Sequence, residues 1–433
     1  MTAGTDRHAL ESCEVLVAGG GMAGVCAAVA AARAGARTLL VERIGFLGGA
    51  ATAAAVPQFM GWKTAAGGQV IGGIAQEIVD RLVASGGAHG FDWFTMSTGL
   101  RMDRLEFDPE VLKVVLDDMV IEAGATPLFH AWTAGAGCTD RRVTRVDVLT
   151  KSGMRSLAPQ VVIDASGDLD LLHAAGCEML PLDEDEALQP ATLGFRMGPI
   201  DFAVLDALEP AQKSELARKG VEEQGLGRFA LHYNRMPGTD DAWFNVTRIA
   251  VDGTDAVALS RAEMEGRRQA LAAARFIARN VPGCGRAKLV ALATQIGIRE
   301  TRRIRGRVVV TEDDLRSGRE YPDTVAQSAF PIDLHSRDGK VTRLERVGGE
   351  HHAYCVPLRA LLPVSVDNAL VAGRGISATH VAFAALRVMP TAMATGQAAG
   401  IAAALSSQGE GRVASVEFER VRQALLAGGA ILG

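Results

Sequence analysis

No two cysteines stand in a C-x-x-C pair: the six, Cys13, Cys26, Cys138, Cys177, Cys284 and Cys355, are scattered singly through 433 residues. That argues against structural zinc and against an iron–sulfur cluster of usual spacing, and no metal site is expected. Scattered thiols fit a reducing cytoplasm rather than a disulfide scaffold. A strong charge of either sign is also missing. The net charge of −5 gives no basic field for nucleic acid or anionic membrane. No apolar run approaches the length of a membrane span, and no signal peptide is evident. Residues 1–12 are polar and read as a flexible tail. There is no short-period repeat and no low-complexity linker.

A hydrophobic fraction of 48% with 22% charged residues suits a large packed interior, and the length allows two or three domains or one interleaved domain. The most informative stretch is Val15-Leu16-Val17-Ala18-Gly19-Gly20-Gly21-Met22-Ala23-Gly24. Glycine makes up 49 residues of the chain, so a bare G-x-G-x-x-G should arise by accident roughly 0.6 times at this length. The context supplies the weight. An apolar strand precedes the glycines, an alanine-rich helix over 21–34 follows and stops at Gly35, and a second strand over 37–41 ends at Glu42. Gly19 permits the tight turn, Gly21 lets backbone approach phosphate, and Gly24 lets helix and strand pack closely. The helix N-terminus offers amide donors to a pyrophosphate, and Glu42 can accept hydrogen bonds from ribose hydroxyls.

Further along, Gly48-Gly49 lets an extended segment pass close to the nucleotide. Gly72-Gly73 opens a helix over 74–83. The residues 57–68 between them read as a substrate-facing loop. Asp108-Pro109-Glu110 is a helix start, with Asp as N-cap and Pro at the first helical position. Residues 142–150 alternate as a half-exposed strand, and Val161-Val162-Ile163 is a buried strand. From about residue 179 the texture changes. Acids cluster at 183–186, read as a solvated loop, and a long amphipathic helix covers 261–280. Thr311-Glu312-Asp313-Asp314 resembles a capping box. Nucleotide-domain texture returns with the strand Ala369-Leu370-Val371, its glycine turn, and a small-residue helix from Pro390.

Taken together, the blocks GGGMAG, VER followed by LGGAAT, IGGIAQE, FDPE, VVIDASGDLDL, GIRETRRIRG and NALVAGRGISATH running into RVMPTAMATGQAAG resemble the FAD-dependent oxidoreductases of the glutathione-reductase-like, two-dinucleotide-binding-domain group. The resemblance spans 15–405 and implies an α/β fold. A Rossmann-like FAD-binding domain is formed by 13–178 and 353–433, with an α+β substrate domain over 179–352 inserted. It assigns the pyrophosphate and ribose to Gly19, Gly21, Met22, Ala23, Gly24 and Glu42. Arg43, Gly48, Gly49 and Ala50 lie along the adenosine and pyrophosphate. Ala165, Gly167 and Asp168 close the nucleotide site, and Gly373 and Arg374 approach the ribityl diphosphate. Met389, Thr391, Ala392 and Met393 open a helix aimed at the flavin ring. Ser166 stands where a threonine is often found. No second strand–glycine–helix unit exists, so a dedicated NAD(P)H domain is absent; Gly283-Cys284-Gly285 lacks the third glycine and the strand.

Outside the nucleotide site, 297–303 is expected to be helical, placing Arg299 beside Arg302 and Arg303. These arginines either form an ion-pair network or face the flavin or an anionic substrate group. His380, His351, His352 and Tyr354 are the candidate acid–base groups, with His335 a weaker one, and Arg387 a support for the flavin. The expected activity is a cytoplasmic dehydrogenase passing hydride from a small organic molecule, anionic in one reading, to non-covalent FAD. Reduction of an activated double bond, flavin monooxygenation, and a flavoprotein subunit of an electron-transfer complex are the alternatives. The partners expected are the small-molecule substrate and, in an oligomer, further copies of the chain, with no nucleic acid and no membrane.

Overall fold

Short β-branched and leucine runs flanked by glycine build the centre of the molecule. A computed structural model describes residues 13–95, 99–182, 188–223, 225–336 and 342–433; the expected tail at 1–12 and the acidic loop at 183–186 lie outside the described residues. Five parallel strands form the main sheet: β1 (Val15–Ala18), β2 (Thr38–Val41), β3 (Thr126–Leu128), β4 (Val161–Asp164) and β5 (Ala369–Val371), in the spatial order β5-β4-β1-β2-β3. Val17 sits in register with Leu40 on one side and Ile163 on the other. Every residue of β1, β2, β4 and β5 is buried, as continuous apolar runs in a parallel sheet covered on both faces must be.

Three helices frame the site: α1 (Met22–Arg33), α2 (His380–Leu386) and α3 (Met389–Ser407). Small residues run all round α3, and nearly all of it is buried. A Cβ on Gly396 would stand 2.1 Å from the Ala23 carbonyl oxygen, and one on Gly400 would stand 2.2 Å from that of Ala27. The α1–α3 seam is therefore a backbone-to-backbone contact that needs glycine at both points. α2 and α3 meet at 91°, and no single helix among the described residues is long and apolar enough to cross a membrane.

The first and last parts of the chain are tied by Asn368, fully buried just before β5. Its Oδ1 accepts from the Val143 N–H at 2.8 Å, and its Nδ2 donates to the carbonyls of Val143 and Gln160, both at 3.0 Å. Asn368→Ala leaves these backbone groups unpaired inside the protein. It is expected to lower stability by about 1–3 kcal/mol, read as an earlier midpoint in urea unfolding; an unchanged midpoint would contradict this accounting.

A second core forms around an antiparallel sheet of Tyr233–Arg235, Ala242–Phe244, Phe195–Gly198 and Lys288–Leu292, in that spatial order, backed by the helix Ala256–Asn280. Phe195 and Phe244 stack there with ring centroids 5.6 Å apart. The expected domain boundary at residue 352 needs correction. Ile304, Val310, Leu315, Val325, Ile332 and Val347 all pack into the core of the parallel sheet. The substrate-side core takes its buried residues from Leu193 to Ala293, joined by Ala55. The chain returns to the cofactor side near Ile304 because its backbone N–H bonds to the Gly375 carbonyl, beside β5.

Candidate active site

The nucleotide end is a set of close backbone approaches. After β1, Gly19 adopts φ +98°, and a Cβ there would meet the Ala165 carbonyl at 2.6 Å. A Cβ on Gly24 would stand only 1.8 Å from the Gly19 oxygen, so helix and turn touch through bare backbone. The Gly48 N–H donates to the Gly20 carbonyl at 2.8 Å. Buried Glu42 ends β2. Its Oε2 accepts from the Gly20 N–H at 2.6 Å and its Oε1 from the Ile44 N–H at 2.9 Å.

The opposite wall follows β4. Asp168 accepts from the Thr301 hydroxyl at 2.8 Å and pairs with Arg374. Burial alone would raise the Asp168 carboxyl; the Arg374 guanidinium overrides it and holds the group below the usual carboxylate range. Gly373, at φ +78°, brings the turn after β5 against Ala23, where a Cβ would come within 2.9 Å of the alanine side chain.

A cavity of about 550 Å³ starts at this cradle. Gly19, Gly21, Met22 and Ala23 line it, as do Glu42 and Arg43. Gly48, Gly49 and Ala50 contribute from the next turn, Ala165, Gly167 and Asp168 from the β4 turn, and Gly373 and Arg374 from the β5 turn. Met389 and Ala392 face it from the first turn of α3. Gly24 lies beneath the turn, and Thr391 and Met393 are buried in α3; none of the three lines the cavity. A cavity with glycine backbone in its wall at a helix N-terminus and with the buried acid Glu42 lining it fits a dinucleotide such as FAD.

A second group of ionisable side chains lines the same cavity, among them Arg228, His232, Arg299, Asp333, His335 and Arg387. The strand Ile332–His335 pairs with Thr342–Glu345, which sets His335 opposite Thr342. His335 Nδ1 lies 2.8 Å from Thr342 Oγ1, and its Nε2 lies 3.4 Å from Asp333 Oδ2. Asp333 also accepts from Arg387 at 3.2 Å. Burial would raise the Asp333 carboxyl, but His335, Arg387 and Arg299 hold it well below the ordinary range. Burial pushes His335 down to about 3; Asp333 opposes this, while Arg299 and Arg248 reinforce it. His232, whose Nε2 is 3.2 Å from the Gln58 amide nitrogen, is likewise pushed down to about 3, by burial and then by Arg228, Arg248 and Arg104. Both imidazoles are neutral at pH 7.

Several expected placements are corrected. Residues 297–303 are not helical. Gly297 exchanges backbone hydrogen bonds with Thr192, Ile304 bonds to Gly375 and Arg305 to Glu178, so the segment runs extended and its arginines diverge. Arg299 lines the cavity and donates to the Pro190 carbonyl and to Thr192 Oγ1. Arg302 instead binds the Asp168 carbonyl and Asp170 outside it. His380 does not reach the cavity, because its Nδ1 is held at 2.8 Å by the fully buried Glu300. His352 bonds the Leu315 carbonyl through Nε2 and meets Tyr354 edge-on; His351 is exposed, and none of the three lines the cavity. The strand carrying Tyr354 pairs with Thr324–Ser328, which draws this segment into the core of the parallel sheet. The 57–68 segment begins as a strand, Gln58–Met60, with Gln58 and Met60 in the cavity wall.

Arg228 and His232 carry no sequence signal: each is a lone residue in an irregular stretch. Asp333 and His335 do carry one, the i, i+2 spacing that puts two side chains on one face of a strand.

A family model described as FAD dependent oxidoreductase matches residues 14–425. No curated protein matches the chain. Among solved structures, a geranylgeranyl bacteriochlorophyll reductase-like protein from Thermoplasma acidophilum aligns at 13% identity and TM-score 0.49, over 96% of this chain and 83% of that one. The p-nitrophenol 4-monooxygenase PnpA from Pseudomonas putida aligns at 11% identity and TM-score 0.48, over 96% and 84%. The flavin-dependent brominase Bmp2 aligns at 12% and 0.47, over 96% and 83%.

Proposed function

The chain belongs to the FAD-dependent oxidoreductase family, and from that premise we propose that it is a dehydrogenase that oxidises a small organic molecule at a C–H bond beside an O–H or N–H group. The observation that carries the proposal is the Thr342–His335–Asp333 relay in the wall of the cavity that the nucleotide cradle also lines. FAD, when bound, supplies a two-electron acceptor for hydride. Gly19, Gly21, Gly48, Gly49, Asp168 and Arg374 would hold its diphosphate end, and the first turn of α3 its ring, in a glutathione-reductase-like arrangement.

The remaining chemistry is proton management. With Asp333 ionised, the His335 proton sits on Nε2, facing the carboxylate, and Nδ1 accepts from the Thr342 hydroxyl. Thr342 lines the cavity, and in the proposed step its hydroxyl takes the substrate O–H or N–H proton while passing its own to Nδ1. The imidazolium so formed stands against Asp333, which stabilises it. Among the described residues His232 contacts the neutral Gln58 amide and no carboxylate directly, and Arg228, Arg248 and Arg104 outweigh the more distant Asp333, so it is the poorer proton store.

Anaerobic mixing of the holoenzyme with a panel of 2-hydroxy acids, amino acids and simple alcohols tests this. At least one should bleach the flavin faster than NADPH or NADH does. Fast bleaching by a nicotinamide nucleotide alone, followed by oxygen uptake coupled to hydroxylation, would replace the dehydrogenase with a monooxygenase.

A further inference from the structure

We infer that the cavity contains a carboxylate-binding subsite formed by Arg228 and Arg299 and backed by Arg248, and that the substrate is an organic acid anchored there. The inference rests on reading this cavity as the substrate site. Charge balance carries it. Arg228 lines the cavity, and among the described residues its guanidinium has neither a hydrogen bond nor an ion pair. Among the described residues Arg299 bonds only to neutral oxygens, those of Pro190 and Thr192.

Arg248 is 6% exposed and lies one layer behind. Its NH1 donates to Thr192 Oγ1 at 2.8 Å, Asn245 Oδ1 at 2.9 Å and the Thr247 carbonyl at 2.7 Å, while its buried Nε and NH2 have no partner among the described residues. Thr192 and Asn245 both line the cavity, so Arg248 acts on the same space. The nearest acid, Asp333, is already engaged by Arg387 and His335. Of the other acids nearby, Glu300 is held by His380 and Arg303, and Glu263, in the cavity wall, accepts from the Ile296 N–H and pairs with Arg267.

Two half-buried guanidinium groups and a buried one share a single nearby carboxylate, Asp333, so positive charge is left over, and such a cation is best tolerated when a further anion pairs with it. The strain shows in the groups themselves. Burial and Arg387 push Arg299 down to about 9, and burial with Arg299 and Arg228 pushes Arg248 well below its ordinary value, in both cases against the opposing pull of Asp333. Each relation reverses when an anion enters. The planar guanidinium fork matches a carboxylate in two parallel hydrogen bonds. Val56, Met60, Ile298, Phe330 and Leu344 supply apolar wall in the same cavity, which favours a carboxylate carried on a hydrocarbon body over free inorganic phosphate.

The test titrates oxidised holoenzyme with acetate, benzoate and succinate, with acetamide and benzamide as neutral counterparts, and with inorganic phosphate. Binding is read by calorimetry and by the perturbation of the flavin spectrum. At least one carboxylate should bind saturably and at least about 30-fold more tightly than its amide. Arg228→Gln should weaken that carboxylate about 10- to 100-fold and leave amide binding and FAD content unchanged, with Arg228→Lys in between. Equal binding of acid and amide, no binding of any carboxylate, phosphate binding tighter than every carboxylate, or unchanged affinity in Arg228→Gln would each overturn the inference. The acid–amide comparison needs no variant and stands if the substituted protein does not fold. Selective carboxylate binding without bleaching by any C–H donor would leave the subsite and remove the dehydrogenase. Bleaching that is indifferent to carboxylate would do the reverse.

Discussion

Replacement of His335 by glutamine is expected to slow anaerobic reduction of the bound flavin by about 10²–10⁴-fold, with little change in FAD content. Glutamine keeps a polar group of similar reach beside Thr342 and Asp333 but cannot store a proton. The substrate O–H or N–H proton then has no acceptor as the hydride leaves. Substrate affinity should change far less than the reduction rate, because His335 is assigned to the proton and the arginines to the anchor. Equal rates in wild type and His335→Gln would remove the relay.

The pH dependence has a definite sign. His335 is pushed down to about 3 in the folded protein from an ordinary 6.5. It is the neutral, proton-accepting form through roughly pH 5–8, so the reduction rate of the wild type should be flat there and fall only on stronger acidification. The same depression is a stability effect. A group whose folded pKa lies below its unfolded one gives stability that is complete above 6.5 and is lost as pH falls toward 3. His232 adds a second contribution of the same sign over the same window. Urea midpoints measured on descending pH should therefore drop less steeply in His335→Gln than in wild type.

The second large effect is at the nucleotide cradle. Gly24→Ala would place its Cβ 1.8 Å from the Gly19 carbonyl oxygen, a backbone atom that cannot move without opening the turn. Purified Gly24→Ala should retain less than about a tenth of the wild-type FAD and unfold about 3 kcal/mol more easily. Gly21→Ala separates the two consequences. Gly21 has φ −67°, and the nearest atom to a Cβ there is 3.9 Å away, so the protein chain itself has room. That variant should fold with near-normal stability and still bind FAD weakly, because the added methyl group stands in the cavity wall where backbone must approach phosphate. Full flavin in both variants would count against this use of the glycines.

The two parts of the site differ in how much of them the sequence displayed, for a physical reason. The nucleotide cradle depends on local geometry: a strand, a turn too tight for side chains, and a helix start follow one another within about ten residues, and glycine marks each close approach. Glu42, Gly48 and Gly373 are legible for the same reason. The proton relay and the arginines come from segments near 228, 248, 299, 333 and 387, each irregular or short, and nothing local records that they converge. His380 misled because it precedes the cofactor-facing helix in sequence. A helix fixes where its residues start, but the ring is turned by what it bonds, here Glu300. The stretch 297–303 misled because its charges suit a helical face, whereas hydrogen bonds to Thr192, Glu178 and Gly375 stretch it out. Tertiary pairing overrode local preference there.

The α1–α3 seam sets a timetable for synthesis. α1 leaves the ribosome long before α3, with Ala23 and Ala27 on the face that α3 will cover, and its partner begins only at Met389. At roughly 5–20 residues per second, the chain waits on the order of half a minute before that face can be closed. The glycine turn after β1 therefore has no finished cofactor domain around it until α3 has been made. A chain interrupted before β5 keeps an uncovered alanine face on α1 and an open edge beside β4, which is the kind of surface that chaperones and proteases recognise. Flavin capture is in this sense a proofreading step: it reports that α3 has arrived.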